Sequence, residues 1–276
     1  MQPGLDNLPE PADVHAWLSE RRPLDWGDPI PTKAEIAADY GERTAEKSLQ
    51  LVTKAASVEP RLTDAVVSAI GAEATPYHLE NRMKSPQSLA RKLATYEDFY
   101  RRSQQVPEDV LRYTALVKHP DELTQAAIRT IDRLNDGNWQ TQAAHHSYVD
   151  GSRYKGLHAF LRAQGESVEL QVHSNESIDV KERTTGLYEI ERDRQQPAAA
   201  RDAARRECIA LSDQMTQPAG IEELKELGGA PVNTISYGKK RQQHRPKSGP
   251  ARASEPNQAP EQTRQQAQHR QNGTSR

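Results

Sequence analysis

Basic and hydroxyl side chains cluster around a predicted helix start near residue 85. The cluster consists of Arg82, Lys84, Ser85, Ser88 and Lys92. Ser85 is a suitable helix N-cap, and the following Pro86 is a suitable first helical residue. Because a helix N-terminus offers free N–H groups and a positive dipole end, such a cluster suits a polyphosphate. An ordinary solvated basic helix end is the alternative interpretation.

Two carboxylates accompany predicted strands. Asp109 directly precedes the apolar run VLRYTALV, residues 110–117, and is either a turn residue or a ligand for a hard cation. In the segment VELQVH, residues 168–173, strand alternation places Glu169, Gln171 and His173 on one face. These three side chains form either the floor of a site or an ordinary solvent-facing strand surface.

An aromatic side chain and two basic groups lie on the preceding predicted strand. They are Tyr154, Lys155 and His158, and stacking of a nucleobase on an aromatic ring is worth ~1–3 kcal/mol. Cations and hydroxyls suit phosphates, separated carboxylates suit Mg²⁺, and a tyrosine suits a base. Together these groups predict a site for phosphoryl or pyrophosphoryl transfer to or from a nucleotide.

The elements that must position these residues alternate between helices and strands. Helices are predicted up to the segment after Ser85, followed by a strand, a helix, three strands and two helices. Pro60 and Thr63 predict a break between two of the early helices. The order favours an α+β fold in which a mixed sheet of about four to five strands is flanked by helices.

The chain divides by composition into several regions. We expect a proline-rich lead-in over residues 1–32, a domain over 33–218, a linker over 219–238 and a disordered tail over 239–276. The tail carries nine basic and two acidic side chains, a net charge of +7, which leaves −9 for residues 1–238. The tail either contacts RNA or another acidic partner, or only keeps the protein soluble.

Other features exclude several classes of protein. The lone Cys208 excludes a disulfide scaffold and a cysteine-rich zinc site. No apolar run approaches the ~20 residues that cross a bilayer, and the N-terminal sequence lacks the pattern of a secretory signal. These features predict a cytoplasmic protein without a membrane partner.

The ordered motifs resemble the RelA/SpoT-type alarmone synthetase domain, particularly the divergent versions of toxins and phage-associated proteins. The resemblance covers residues 33–195 and rests on Arg82-x-Lys84-Ser85-x-x-Ser88-x-x-x-Lys92, Asp109, Tyr154-x-x-x-His158 and Glu169-x-Gln171. It implies transfer of the β,γ-pyrophosphate of ATP to the 3′-hydroxyl of a nucleotide. No His-Asp dipeptide is present, so the metal signature of the family's hydrolase domain is missing.

The resemblance also assigns roles to individual residues. It implies ATP binding by Arg82, Lys84, Ser85, Ser88 and Lys92, Mg²⁺ binding by Asp109 and Glu169, and acceptor binding by Arg112, Tyr154, Lys155, His158, Gln171 and His173. Glu169 would also orient or deprotonate the attacking hydroxyl. In this interpretation Asp109, Glu169, Arg82 and Lys84 form the catalytic set.

Departures from the family pattern fall mainly on the acceptor side. Gly156 replaces a serine, Thr114 an arginine and His173 an arginine, and Arg153 stands where a glycine is usual. The acceptor therefore stays open between GDP or GTP, ADP or ATP, and an RNA 3′ end.

A synthetase without a hydrolase to degrade its product suggests a toxin with an antitoxin or immunity partner. A non-catalytic nucleotide- or RNA-binding module is the main alternative function, and ADP-ribosyl transfer is a weaker one.

Overall fold

Residues 4–103 and 105–238 are described by a computed structural model. Their helices are α1 (Pro11–Arg21), α2 (Lys33–Tyr40), α3 (Glu42–Ile70), α4 (Pro86–Thr95), α5 (Glu97–Ser103), α6 (Leu123–Asp136), α7 (Asn175–Arg192) and α8 (Ala198–Ser212). Their strands are β1 (Thr75–Tyr77), β2 (Leu111–Val117), β3 (Gln140–His146), β4 (Leu157–Ala163), β5 (Glu166–Ser174), β6 (Glu226–Leu227) and β7 (Ala230–Thr234). Within these ranges no helix is long and apolar enough to span a membrane.

The strands form one mixed sheet of seven strands in the order β1-β2-β5-β4-β3-β7-β6. Strand β5 lies near its centre, parallel to β2 and antiparallel to β4. The predicted α+β class is therefore confirmed, and the sheet is wider than expected because β1, β6 and β7 are short strands at its edges. Strands of two to five residues have little sequence periodicity, so the sequence does not predict them.

One face of the sheet packs against α3 and α6 and forms the main core. Apolar side chains on alternate positions of β5, namely Val168, Leu170 and Val172, lie in this core together with Val66 of α3 and Ile131 of α6. The alternation predicted for β5 is thus confirmed. The opposite face carries Glu169, Gln171 and His173, which are also buried, with exposures of 0–2%.

Helix α3 runs continuously through Pro60, so the predicted break is wrong. Buried positions recur at helical spacing on both sides of the proline, for example Ala55 and Leu62, which are seven residues apart. Burying this continuous face offsets the cost of about 3 kcal/mol that an interior proline imposes. The Thr63 hydroxyl does not cap a helix; it bonds the carboxylate of Glu59 and the hydroxyl of Tyr113.

The ends of the described chain also pack against the body. In the lead-in, Val14, Leu18 and Trp26 belong to the main core, and the Trp26 indole donates to the carbonyl of Met83 at 3.0 Å. Part of the predicted linker belongs to the sheet instead, since β7 pairs in parallel with β3. The predicted basic tail, residues 239–276, lies outside the described residues.

Candidate functional site

Backbone pairing places the basic cluster beside the start of β2. The Lys84 amide donates to the carbonyl of Val110, and the Arg112 amide donates to the carbonyl of Arg82. The Ser85 side chain caps α4 by accepting from the Ser88 amide at 3.2 Å, as the sequence predicts. The start of α4 is thereby fixed next to Asp109, which lies just before β2.

Two lysines of the cluster converge on Asp109. Its carboxylate lies 2.8 Å from the Lys92 ammonium and 3.4 Å from that of Lys84, and the residue is 3% exposed. Burial alone would raise the pKa of Asp109, but the ammonium groups of Lys84 and Lys92 hold it well below its usual range. The Asp109 carboxylate in turn raises the pKa of Lys92 despite burial of that lysine. Asp109 and Lys92 therefore stay charged at neutral pH.

Arg82 occupies a different place from the two lysines. It is 1% exposed, and its guanidinium pairs with Glu59 at 2.5 Å and donates to the carbonyls of Arg22, Pro23 and Leu79. These contacts join α3, the lead-in and the segment before α4. In this structure the Arg82 guanidinium makes its hydrogen bonds and its ion pair with other groups of the protein. These contacts differ from the phosphate contacts that the motif implies.

The polar face of the sheet brings the remaining predicted residues together. Strand register sets Arg112 of β2 beside Glu169 of β5, and Gln171 of β5 beside His158 of β4. The imidazole of His145 on β3 stacks on that of His158, with ring centroids 4.9 Å apart. Helix α7 follows β5 directly and covers this face.

A chain of hydrogen bonds runs from Glu169 through three buried side chains to α7. The Glu169 carboxylate bonds the His158 ring at 2.8 Å, and the other ring nitrogen of His158 bonds the Tyr154 hydroxyl at 3.0 Å. That hydroxyl also bonds His173 at 2.9 Å, and His173 bonds the Ser177 hydroxyl at 2.9 Å. Tyr154 is therefore the centre of a network as well as a candidate stacking surface.

Gly156 leaves the space in which this network fits. A β-carbon at this position would lie 2.9 Å from the His173 ring, 2.9 Å from the Tyr154 hydroxyl and 3.1 Å from the His158 ring. The glycine and His173, two departures from the family pattern, are thus adjacent in space. The sequence alone gives no sign that these two changes are connected.

Burial favours the uncharged forms of two histidines in this region. Burial and the nearby Lys181 and His158 lower the pKa of His173 well below its usual value, and burial lowers that of His145 to about 3. Burial opposes ionisation of Glu169, but its hydrogen bond from His158 lowers its pKa. At neutral pH, Glu169 is therefore an anion that is oriented by His158 and by the Gln171 amide at 3.0 Å.

The carboxylates of Asp109 and Glu169 suit a magnesium ion shared with a substrate. Among the described residues no group of three or more His, Cys, Asp or Glu side chains is placed to hold a metal. A protein site with only one or two carboxylates is typical of Mg²⁺, which usually takes its other ligands from water and substrate phosphates. The residues present therefore fit this ion when nucleotide phosphates are bound.

Two residues near the site have roles that the motifs do not predict. Lys155, predicted to bind the acceptor, pairs with Asp213 at 3.2 Å and points toward the end of α8. Tyr237, which follows β7, lies edge-on to Tyr154 with ring centroids 5.6 Å apart. No local signal could have identified Tyr237, because 83 residues separate it from its partner.

Comparisons with known proteins give structural similarities only. No family model and no curated protein matches this sequence. A GTP pyrophosphokinase family protein from Streptococcus pneumoniae is 15% identical, with a TM-score of 0.40 over 65% of this chain and 90% of that one.

Two structures of the small alarmone synthetase 1 from Bacillus subtilis are similar as well. The one bound to its product pppGpp is 13% identical with a TM-score of 0.38, and the other is 15% identical with a TM-score of 0.37. Both cover 65% of this chain and 93% of their own.

Proposed function

We propose that this protein is a Mg²⁺-dependent pyrophosphokinase that transfers the β,γ-pyrophosphate of ATP to the 3′-hydroxyl of a nucleotide. The observation that carries the proposal is the placement of two buried carboxylates in different surroundings. Asp109 lies between Lys84 and Lys92 at the start of α4, whereas Glu169 is oriented by His158 and Gln171. The first arrangement suits a polyphosphate with its metal, and the second suits a hydroxyl.

The reaction needs few changes in covalent bonding. The acceptor 3′-oxygen forms a bond to the β-phosphorus of ATP, the bond from that phosphorus to the oxygen bridging to the α-phosphate breaks, and AMP leaves. The hydroxyl proton passes to the Glu169 carboxylate. Mg²⁺, when bound by Asp109, Glu169 and the phosphates, would neutralise negative charge on the transferred group.

The contribution of the protein is positioning and charge compensation. The ammonium groups of Lys84 and Lys92 both lie beside Asp109, and Lys84 directly precedes the N-cap of α4, so both lysines can face the phosphates of ATP. His158 and Gln171 fix the direction of the Glu169 carboxylate through hydrogen bonds on one of its oxygens. Transfer reactions of this kind depend on such in-line positioning more than on covalent participation by the protein.

Product analysis tests the proposal. The full chain is incubated with ATP, Mg²⁺ and one acceptor at a time: GDP, GTP, ADP or an RNA with a free 3′ end. We expect AMP and a 3′-pyrophosphorylated product in at least one mixture, and loss of both with Glu169→Gln or Asp109→Asn. Glu189→Gln, on the exposed side of α7, is the matched control and should keep full activity.

Two results would contradict the proposal. Full activity of either carboxylate variant would exclude this site. Binding of ATP without release of AMP in any mixture would favour a non-catalytic nucleotide-binding module, which is the main alternative function.

A further inference from the structure

A cavity opens beside the Glu169 network, between α7, α8 and the loop that carries Tyr154. Its lining includes Tyr154, Lys181, Thr184, Tyr188 and Cys208. None of these residues belongs to the Asp109 cluster, and the elements that form the cavity differ from those that hold that cluster. The cavity is therefore separate from the groups that we assign to ATP.

Within the described ranges, Lys181 in this cavity has no carboxylate partner. Its ammonium makes no hydrogen bond or ion pair with any residue of those ranges, whereas Lys92 pairs with Asp109 and Lys155 with Asp213. Burial and the guanidinium of Arg112 lower the pKa of Lys181 to about 7, although Glu169 and Glu182 oppose this shift. A sheltered cation without a partner is costly, so the site suits an anion that is not part of the protein.

A second observation points to the same ligand. The Nε of Arg112, a residue 6% exposed, and the Oε1 of Gln171, a residue 2% exposed, have no hydrogen-bond partner among the described residues. Both lie on the polar face of the sheet, where Arg112 of β2 pairs with Glu169 of β5 and Gln171 pairs with Thr114. Because native proteins leave few buried polar atoms unpaired, these two atoms indicate a polar ligand over this face.

We propose that Lys181 and Arg112 form an anion subsite that holds a phosphate of the acceptor nucleotide next to Glu169. The proposal rests on the proposed function and adds a specificity-determining residue to it. A phosphate at this place would compensate two cations, and the amide oxygen of Gln171 would face a donor group of the same nucleotide. The substrate class is accordingly a phosphorylated nucleoside or an RNA end, and not a free nucleoside.

The subsite has a defined pH dependence. The groups that face Lys181 are Arg112 from β2, Glu169 and His173 from β5, Glu182 and Tyr188 from α7, Cys208 from α8, and Arg153 and Tyr154 from the loop before β4. With a pKa of about 7 in the free protein, Lys181 loses its proton as the pH rises above 7. Affinity for an anion should therefore be highest below pH 7 and fall at higher pH.

Binding measurements on the full chain test this subsite without requiring turnover. GDP and ADP are titrated by calorimetry with α,β-methylene-ATP and Mg²⁺ present, so that the ATP site is filled, and guanosine and adenosine are titrated in parallel. We expect Lys181→Met to weaken binding of the diphosphates at least about tenfold, the effect of losing a charged hydrogen bond, and to leave nucleoside binding unchanged. Lys118→Met, at an exposed position after β2, is the control and should bind like the wild type.

A charge-preserving variant separates the subsite from a packing role. Lys181→Arg should retain diphosphate binding and lose the decrease between pH 6 and pH 8, because arginine stays protonated. Wild-type affinity for diphosphates with Lys181→Met, or an equal loss for nucleosides and diphosphates, would overturn the proposal.

The two proposals can fail separately. If the Lys181 variants behave as expected but no mixture yields AMP, the subsite stands and the pyrophosphokinase proposal falls. If AMP forms and Lys181→Met has the wild-type KM for the acceptor, the enzyme proposal stands and the subsite is wrong.

Discussion

At the scale of single residues, the site contains cations of two kinds. Lys84 and Lys92 share the buried carboxylate of Asp109, and in the proposed function a polyphosphate would replace part of that pairing. Arg82 is enclosed by Glu59 and three backbone carbonyls and contributes to the fold. Basic residues of one motif thus have different surroundings, and we propose that only the two lysines contact ATP.

Substitution distinguishes these two kinds of cation. Arg82→Met leaves Glu59 as a buried, unpaired charge, and breaking such a pair costs about 3–5 kcal/mol. We expect this variant to lose most of its resistance to urea in equilibrium unfolding. Lys84→Met should unfold near the wild-type midpoint but show a KM for ATP raised at least about tenfold. An Arg82 variant of normal stability with a raised KM for ATP would restore the phosphate-binding role that the motif implies.

Tyr154 combines a ring surface with a hydroxyl that bonds two histidines. Tyr154→Phe keeps the ring but leaves ring nitrogens of His158 and His173 without their partner, at a cost of about 1–3 kcal/mol. We expect a lower midpoint of thermal unfolding and a reduced kcat, because His158 no longer holds Glu169 in place. Tyr40→Phe, a partly buried tyrosine in a separate small apolar cluster, is the control. Unchanged kcat in Tyr154→Phe would show that stacking is the whole role of this residue.

Gly156 provides a further test of the network. Gly156→Ser introduces atoms within contact distance of His173, Tyr154 and His158, and overpacking of this kind costs typically about 1–3 kcal/mol. Lower stability and activity should appear together in unfolding curves and initial rates. Gly186→Ala is the matched control, since a β-carbon added there meets no neighbouring group within 4 Å and alanine favours the helix by about 0.5–1 kcal/mol. Equal behaviour of the two variants would exclude crowding at Gly156.

At the scale of elements, β7 extends the sheet beside β3, and the residues after it pack against the loop that carries Tyr154. The Arg153 guanidinium donates to the carbonyl of Tyr237 at 3.0 Å, and the Tyr237 amide donates to the Ser152 hydroxyl at 3.2 Å. These bonds hold Tyr237 against the Tyr154 ring. The segment therefore stabilises the loop that presents Tyr154, and it also protects the edge of β3.

Truncation separates this segment from the tail. A chain ending at Gly229 lacks β7 and exposes the edge of β3, so we expect lower stability, aggregation and loss of activity. A chain ending at Gly238 keeps every contact above and should retain activity with small nucleotides. Thermal unfolding, light scattering and product formation measure the difference. If the chain ending at Gly238 loses activity only with an RNA acceptor, the basic tail binds RNA; retained activity in the chain ending at Gly229 would refute the stabilising role of β7.

At the scale of the whole molecule, the net charge opposes the binding of a polyphosphate. Residues 1–238 carry a net charge of −9, so in the proposed function ATP would have to be held by local cations and Mg²⁺. Lys84, Lys92, Arg112 and Lys181 would be these cations. Nucleotide binding of this kind would depend on a few residues, and single substitutions among them should have large effects.

Expression in a bacterial host tests the consequence for a cell. An unopposed synthetase would consume ATP and accumulate its product, so we expect growth arrest after induction of the wild-type chain. Glu169→Gln, expressed at the same level, should leave growth unchanged, and Glu189→Gln should arrest it. Normal growth with an enzyme that is active in the extract would count against a role as a toxin.

The sequence by itself determined the order of most elements, the α+β class, the alternation of β5 and the cap at Ser85. These follow from contacts within a few residues, where periodicity and capping chemistry are directly visible. Tertiary structure decided which cations form ion pairs within the protein. Arg82 pairs with Glu59, which is 23 residues away in the sequence, whereas no carboxylate of the described residues pairs with Lys181. It also decided that Gly156 and His173 meet at Tyr154 and that β7 joins β3, because these pairings bring distant segments together and leave no local pattern.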